Sequence, residues 1–187
     1  MATKKGAENW KTKQWFDVHT PEVLGDEVIG SIPAANESAV IGRVLKVSLS
    51  WVTHNPAHSF LSVSLLVTKA QNNVANSEIK MLENQFSHIH SLVRRHADAI
   101  YTYDKIALKD NKTAVVKLFI STRNKVPYSK QHALRKEVSA MLNEYAQAHT
   151  RDELIKSVLS NELQSQGLER LHKIAPVAKL EIRKLEF

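Results

Sequence analysis

The sequence predicts an α+β fold in which a barrel-like, curled, antiparallel or mixed β-sheet packs against α-helices. Two observations predict this class. Apolar residues alternate with polar ones along several stretches separated by short turns, which is the period of half-buried strands. Elsewhere the apolar spacing changes to three and four residues, which is typical of amphipathic helices. Because neighbouring strands are joined by short turns, hairpins in a barrel or strongly curled sheet are favoured.

The sequence pattern of the first part of the chain predicts mainly strands. They are expected over residues 14–19, 45–51 and 61–67. Residues 23–33 contain two glycines and end on a proline, so they predict a loop. The polar linker over residues 53–59 fits a hairpin connection, which would make the two strands that flank it antiparallel partners. Three amide side chains at residues 71–73 end this run of strands.

The rest of the chain predicts a helix, a hairpin, three more helices and a last strand. The first helix carries apolar residues spaced by four, three and four, namely Leu82, Phe86, Ile89 and Val93. Arg94 and Arg95 would close it, where cations complement the helix dipole. The hairpin is expected over residues 99–108 and 113–122. The later helices begin near Ser129, at a capping box of Thr150 and Glu153, and near Glu162. The last strand alternates over residues 178–183.

Composition limits the classes of function. The chain has 187 residues, and 26 Lys and Arg against 19 Asp and Glu give a net charge of +7. It has no cysteine, which excludes disulfides, thiolate metal sites and a thiol nucleophile. No apolar run approaches the ~20 residues of a membrane helix, and the N-terminus lacks the apolar region of a signal peptide. These features predict a soluble, cytoplasmic protein without a membrane partner.

The domain prediction divides the chain near residue 13. Residues 1–13 carry Lys4, Lys5, Lys11 and Lys13 against a single acidic residue and contain few apolar groups. Such a segment does not bury enough surface to order itself, so we expect a flexible basic arm that binds nucleic acid or is simply solvated. Residues 14–187 contain no linker or repeat and are expected to form a single α+β domain.

Motifs for catalysis, cofactors and metals are lacking in the sequence. The five glycines form neither a dinucleotide-binding nor a phosphate-binding loop. His88 and His90 lie two positions apart, so on a helix they would point about 200° apart. His96 lies eight positions from His88, more than two helical turns away, which is too far for a shared metal ion. We therefore expect no enzyme activity, no cofactor, no metal and no small-molecule substrate.

Basic residues are concentrated in two places, which favours RNA binding. Residues 123–136 carry five cationic side chains and no acidic one, and residues 91–95 end in two arginines. Lys and Arg side chains bind phosphates by displacing counterions, and arginine also stacks on bases. Aromatic residues beside the basic ones, such as Trp15 and Tyr128, are typical of proteins that hold unpaired bases. The alternative for each stretch is an ordinary solvated face, and the paired arginines also suit a helix end.

The order of these motifs resembles one known family. It is the archaeal and eukaryotic small-subunit ribosomal protein family called S-three-a or eukaryotic-type S-one. The residues that match it are 13–18 followed by Pro21, 28–30, 40–44 leading into 47–49, 91–95, Tyr128 with Gln131 and Arg135, and 181–184. The chain ends soon after the last of these motifs, which resembles the short archaeal form. The match rests on the collinear order of motifs over nearly all of the chain from residue 11.

The resemblance implies a structural constituent of the small ribosomal subunit. It places the protein on the platform near the mRNA exit, in contact with neighbouring ribosomal proteins and with ribosomal RNA near its 3′ end. The alternative is a free-standing RNA-binding translation factor or RNA chaperone. From the basic stretches and the resemblance together, the expected RNA-binding residues are Lys4, Lys5, Lys11, Lys13, Trp15, Arg43, Arg94, Arg95, Arg123, Lys125, Tyr128, Lys130, Arg135, Lys136, Arg183 and Lys184.

Overall fold

A computed structural model of the chain describes residues 13–110 and 112–187. Its strands are β1 Gln14–His19, β2 Val28–Ala34, β3 Val44–Ser48, β4 Leu61–Gln71, β5 Val74–Asn84, β6 Ala99–Ala107, β7 Thr113–Thr122 and β8 Val177–Glu186. Its helices are α1 Leu49–Thr53, α2 Phe86–Ser91, α3 Tyr128–Ala148, α4 Arg151–Leu159 and α5 Glu162–His172. The arm expected over residues 1–13 lies outside the described residues except for Lys13.

The eight strands form one mixed sheet that curls without closing into a complete barrel within the described chain. Its main path runs β2-β1-β5-β8-β7-β6, and β3 joins through β4, which pairs with β5. One edge of β5 is shared by a parallel pairing with β1 at residues 74–76 and an antiparallel pairing with β8 at residues 81–83. Irregularities in the β4–β5 and β7–β8 pairings add local twist. The α+β class with a curled sheet is thus confirmed.

The main hydrophobic core lies between the sheet and the C-terminal helices. Alternate residues of β7 such as Leu118 and Ile120 are buried together with Leu134, Val138 and Leu142 of α3. Helix α3 packs on β6 and α5 packs on β8. Burial of these side chains defines the inner face of β6, β7 and β8, while Phe119 on the opposite face of β7 is also buried. A smaller cluster including Phe16 and Val18 lies under β1 and β2.

Three local predictions were wrong, each for a tertiary reason. Residues 28–34 form β2 rather than a loop, and its Pro33 is tolerated because β2 lies at the end of the strand order. The strand expected to reach Trp51 ends at Ser48, where the chain turns into α1. Leu82 belongs to β5, and the helix after it covers only Phe86–Ser91, so Val93 is a partly exposed loop residue.

The other elements agree with the sequence. The β3–β4 and β6–β7 hairpins are antiparallel as expected. The Thr150 amide donates to Glu153 Oε2 at 2.8 Å in the predicted capping box at the start of α4. Helix α3 buries Leu134, Val138, Met141 and Leu142, and Tyr145 of the same helix is half-buried. The last strand buries Leu180 and Ile182 as predicted, but Ala178, expected on the same face, is exposed because the pairing of β8 with β7 is irregular at this point.

Candidate nucleic-acid interface

The two basic stretches meet at one groove of about 400 Å³. It is formed where β7 ends and β8 begins, and the segment between α2 and β6 lies across it. Arg94 comes from that segment, Arg123 directly follows β7, and Lys179 lies in β8. All three side chains are exposed. The groove therefore collects cations from parts of the chain more than eighty residues apart, which is an arrangement suited to a phosphate backbone.

Asp98 holds the loop of residues 123–127, whose first residue, Arg123, lines this groove. Its carboxylate accepts the Val126 amide at 2.7 Å and the Gln131 side-chain amide at 3.2 Å. Gln131 also donates to the Val126 carbonyl at 3.0 Å. The Arg123 amide donates to the Pro176 carbonyl at 2.8 Å. Because these bonds fix the backbone on both sides of Lys125, the cationic side chains start from a defined loop.

Ser121 and Thr122 at the end of β7 connect the segment that carries Arg94 to the loop held by Asp98. The Thr122 hydroxyl donates to the Asn124 carbonyl at 2.8 Å and accepts the Asp98 amide at 2.8 Å. The Ser121 hydroxyl donates to the Leu92 carbonyl at 3.2 Å, two residues before Arg94. Both side chains are buried although they are polar. Their hydrogen bonds thus position the segment that carries Arg94 against the end of β7.

The start of α3 lies on the far side of the loop. The helix begins at Tyr128 after Pro127, next to the start expected near Ser129, and no side chain caps it, so Ser129 is not its N-cap. The first amides of a helix have no partner within the helix and carry partial positive charge. Tyr128 is 76% exposed, and Lys130 is also exposed. Arg135 is half-buried one turn later, while Lys136 is exposed.

The remaining predicted residues lie at two other places. Trp15 pairs in register with Pro33, and the Arg43 guanidinium donates to the Pro33 carbonyl at 3.1 Å. Trp15 and Arg43 therefore lie close together near the start of β1. Trp15 is 53% exposed, while its neighbour Phe16 is buried in the core. Arg183 and Lys184 lie near the end of β8. Lys4, Lys5 and Lys11 are outside the described residues, and Lys13 is half-buried.

Sequence reasoning misassigned the arginines and missed parts of the groove. Helix α2 ends at Ser91, so Arg94 and Arg95 lie in a connecting segment and do not complete a helix dipole. Lys179 was missed, although it directly precedes the buried Leu180 in a strand and was therefore expected to face outward. Asp98 was also missed, because a single acidic residue before a strand has no recognisable sequence pattern. Its role is seen only from the two amide groups that donate hydrogen bonds to its carboxylate.

Two carboxyl groups on β8 have shifted pKa values. Burial raises the pKa of Glu181, and His88 and Lys179 act in the opposite direction. Hydrogen bonds from Lys184 and Lys117 lower the pKa of Glu186. The Glu186 carboxylate lies 2.7 Å from Lys184 Nζ and 3.1 Å from Lys117 Nζ. Glu186 is therefore ionised at neutral pH and offsets part of the positive charge at this end of β8.

Other kinds of site have no support in the described part of the chain. Residues 13–110 and 112–187 contain no group of three or more His, Asp or Glu side chains that could hold a metal ion. Two of the histidines considered for a metal instead contact aromatic rings: His88 stacks on Phe60 at 4.2 Å and His90 lies 4.0 Å from Phe86. Within the same residues no helix is both long and apolar enough to span a membrane.

Comparison with known proteins agrees with the geometry. The model of the Ribosomal S3Ae family matches residues 1–187. The chain is 30% identical to the small ribosomal subunit protein eS1 of Methanoregula boonei, over 98% of this chain and 94% of that protein. It is 26% identical to eS1 of Methanoculleus marisnigri, over 98% and 95% of the two chains. It is 28% identical to eS1 of Staphylothermus marinus, over 95% and 84%.

Proposed function

The chain belongs to the Ribosomal S3Ae family, and from that premise we propose that it binds ribosomal RNA as a structural component of the small ribosomal subunit. Its relatives are small-subunit proteins of archaea. Membership in a family of structural proteins agrees with the expectation that the chain is not an enzyme. The partners are ribosomal RNA and adjacent ribosomal proteins, and the protein is associated with the ribosome. The platform near the mRNA exit and the 3′ end of the RNA is the location that the resemblance implies.

The observation that carries the RNA-binding proposal is the groove of Arg94, Arg123 and Lys179 beside the uncapped start of α3. Cations on three separate elements converge there without an acidic side chain lining the groove. The loop between them is held by Asp98, so little order has to be gained when a phosphate binds. Lys125, Tyr128 and Lys130 follow Arg123 closely in the chain, and their exposure leaves them accessible to RNA.

The test replaces two of the groove cations. Arg94→Ala/Arg123→Ala should weaken binding to a small-subunit ribosomal RNA fragment by about 1 to 3 kcal/mol, because charge-assisted contacts to phosphate are lost. The plot of log affinity against log salt concentration should also become less steep, by about 0.9 in slope for each phosphate contact removed. Lys69→Ala/Lys156→Ala is the matched control, since both lysines are exposed, lie outside the groove and remove the same charge.

Filter-binding titrations at several salt concentrations, with a circular-dichroism melt of each variant, measure these effects. Exposed charges contribute little to folding, so all melts should coincide. Equal weakening in the two double variants would show that only net charge matters and would contradict the groove. Co-sedimentation with small subunits through a high-salt wash separates a ribosomal constituent from a free-standing RNA-binding factor, which would be washed off.

A further inference from the structure

The outer face of β6, β7 and β8 presents two exposed tyrosines. Residues on this face alternate with the buried ones that pack on α3 and α5. Tyr101 is 43% exposed and Tyr103 is 57% exposed, whereas Ile100, which directly precedes Tyr101, is buried. The two tyrosines are separated by one residue, so their side chains leave the same face about 6.6 Å apart along the strand. They form a pair of rings at the outermost strand of the sheet path.

Each ring is supported from the neighbouring strands and has a cation beside it. Tyr101 contacts Phe119, whose ring centre is 5.4 Å away and which is fully buried. The Arg183 guanidinium lies 5.8 Å from the centre of the Tyr101 ring. The Lys117 ammonium lies 5.7 Å from the centre of the Tyr103 ring. Side chains held in this way lose little freedom when a flat ligand stacks on them.

An irregularity in β8 gives this face more cations than simple alternation would. Leu118 pairs with Ile182 and Lys117 pairs with Lys184, so Arg183 is an extra residue on β8. The consecutive residues Arg183 and Lys184 consequently both reach the outer face, where one lies by Tyr101 and the other pairs with Glu186.

The charge of the face is positive overall. Its cations are Lys105, Lys117, Lys179, Arg183 and Lys184, and its acids are Glu181 and Glu186. Glu186 is held between two of those lysines, and Glu181 is half-buried. An exposed aromatic pair with surplus positive charge matches a ligand that combines flat rings with phosphates. A protein partner would be expected to meet a less charged, more apolar surface.

We propose that this face is a stacking platform for an unpaired stretch of RNA, with one base on Tyr101 and one on Tyr103. The platform is continuous with the groove, because Lys179, Ser121 and Ala99 form the row of paired residues next to the row that contains Tyr101. A single strand whose phosphates lie in the groove can therefore follow β6 onto the two rings. This inference rests on the proposed function and adds to it the class of RNA, unpaired rather than duplex, and the residues that read it.

The test compares two labelled RNA probes, an unstructured single strand and a blunt duplex, by fluorescence anisotropy. Y101A/Y103A should weaken binding of the single strand about tenfold or more, since each stacked base contributes substantially to affinity. Binding of the duplex should change less than twofold, because its bases are already stacked on one another. Y101F/Y103F keeps both rings and should bind the single strand like the unchanged protein. W51A removes an exposed aromatic side chain elsewhere and is the control.

The outcomes separate this inference from the proposed function. If Y101A/Y103A binds the single strand normally while R94A/R123A binds it weakly, the platform is wrong and the groove stands. If neither double variant changes RNA binding, the platform and the groove are both wrong as RNA-binding sites. Unchanged RNA affinity together with loss of Y101A/Y103A from small subunits would assign the face to a protein and overturn the inference.

A second measurement does not depend on the variants folding. The unchanged protein is photocrosslinked to the single-stranded probe carrying 4-thiouridine, and the attached peptides are identified by mass spectrometry. We expect crosslinks to Tyr101 or Tyr103, in addition to crosslinks near the groove. Crosslinks confined to the groove and α3 would contradict the platform.

Discussion

Replacing Asp98 distinguishes positioning of the groove from its charge. Asp98 accepts the amide of the buried Val126 and the side chain of Gln131, and it lies beneath the loop that carries Arg123 and Lys125. Asp98→Ala removes both bonds and a negative charge, whereas Asp98→Asn removes the charge and keeps an oxygen that can accept. The two variants therefore change electrostatics equally and loop geometry differently.

The magnitudes follow from the lost bonds. An unsatisfied buried amide costs about 1 to 3 kcal/mol, so Asp98→Ala should lower stability by about 2 kcal/mol and the melting temperature by about 4 to 8 °C. If one loop residue must then be ordered on binding, about 1 to 2 kcal/mol of affinity is lost, roughly five- to thirtyfold. For an assumed separation of about 8 Å between the carboxylate and a phosphate, removing the negative charge favours binding by about 0.5 kcal/mol in water. Asp98→Asn should accordingly bind RNA as well as the unchanged protein or slightly better.

Thermal melts and filter-binding titrations of both variants at one salt concentration provide the assay. Weaker RNA binding by Asp98→Ala and normal or stronger binding by Asp98→Asn would support positioning. If the alanine variant bound as tightly as the asparagine variant, the loop geometry would not matter for RNA. In that case Asp98 would be only a stabilising residue, and RNA binding would not depend on a preformed groove.

Three further predictions concern the fold and the arm. Gly167→Ala should destabilise the protein by about 1 to 2 kcal/mol, because its new carbon would lie 2.5 Å from the buried Leu180; a urea melt beside Gly30→Ala, which has open space, checks this, and equal stability of the two would refute it. Since the pKa of Glu186 is lowered in the folded protein, its ionised form stabilises above the ordinary carboxylate pKa, and that effect is lost as pH falls through the lowered value. Glu186→Gln should thus cost a few tenths of a kcal/mol at pH 7 and progressively less as the pH falls below the ordinary carboxylate pKa, and a difference that stayed constant on acidification would contradict the ion pairs. Deleting residues 1–13 should leave the melting temperature unchanged and weaken association with small subunits; a sharp fall in melting temperature would show that the arm packs on the fold.

Local sequence determined the hairpins, the long helices and the basic character of the site. The apolar alternation over residues 61–67 and the four-residue spacing from Leu134 to Val138 follow directly from which side chains must leave water. The capping box at Thr150 was readable for the same reason, since its two partners lie three residues apart. The five cations of residues 123–136 indicated an anion-binding surface without any knowledge of the fold.

Tertiary structure decided everything that depends on distant parts of the chain meeting. Leu82 fits a helix stripe as well as a strand, and its place in β5 follows from pairing with Val63 and Leu185. The groove exists because β7 and β8, separated by three helices in the chain, are neighbours in the sheet. The extra residue at Arg183 reverses an alternation that sequence alone would continue. Such features arise from backbone pairing between remote segments, and a pattern of side chains along one segment does not show which remote segment pairs with it.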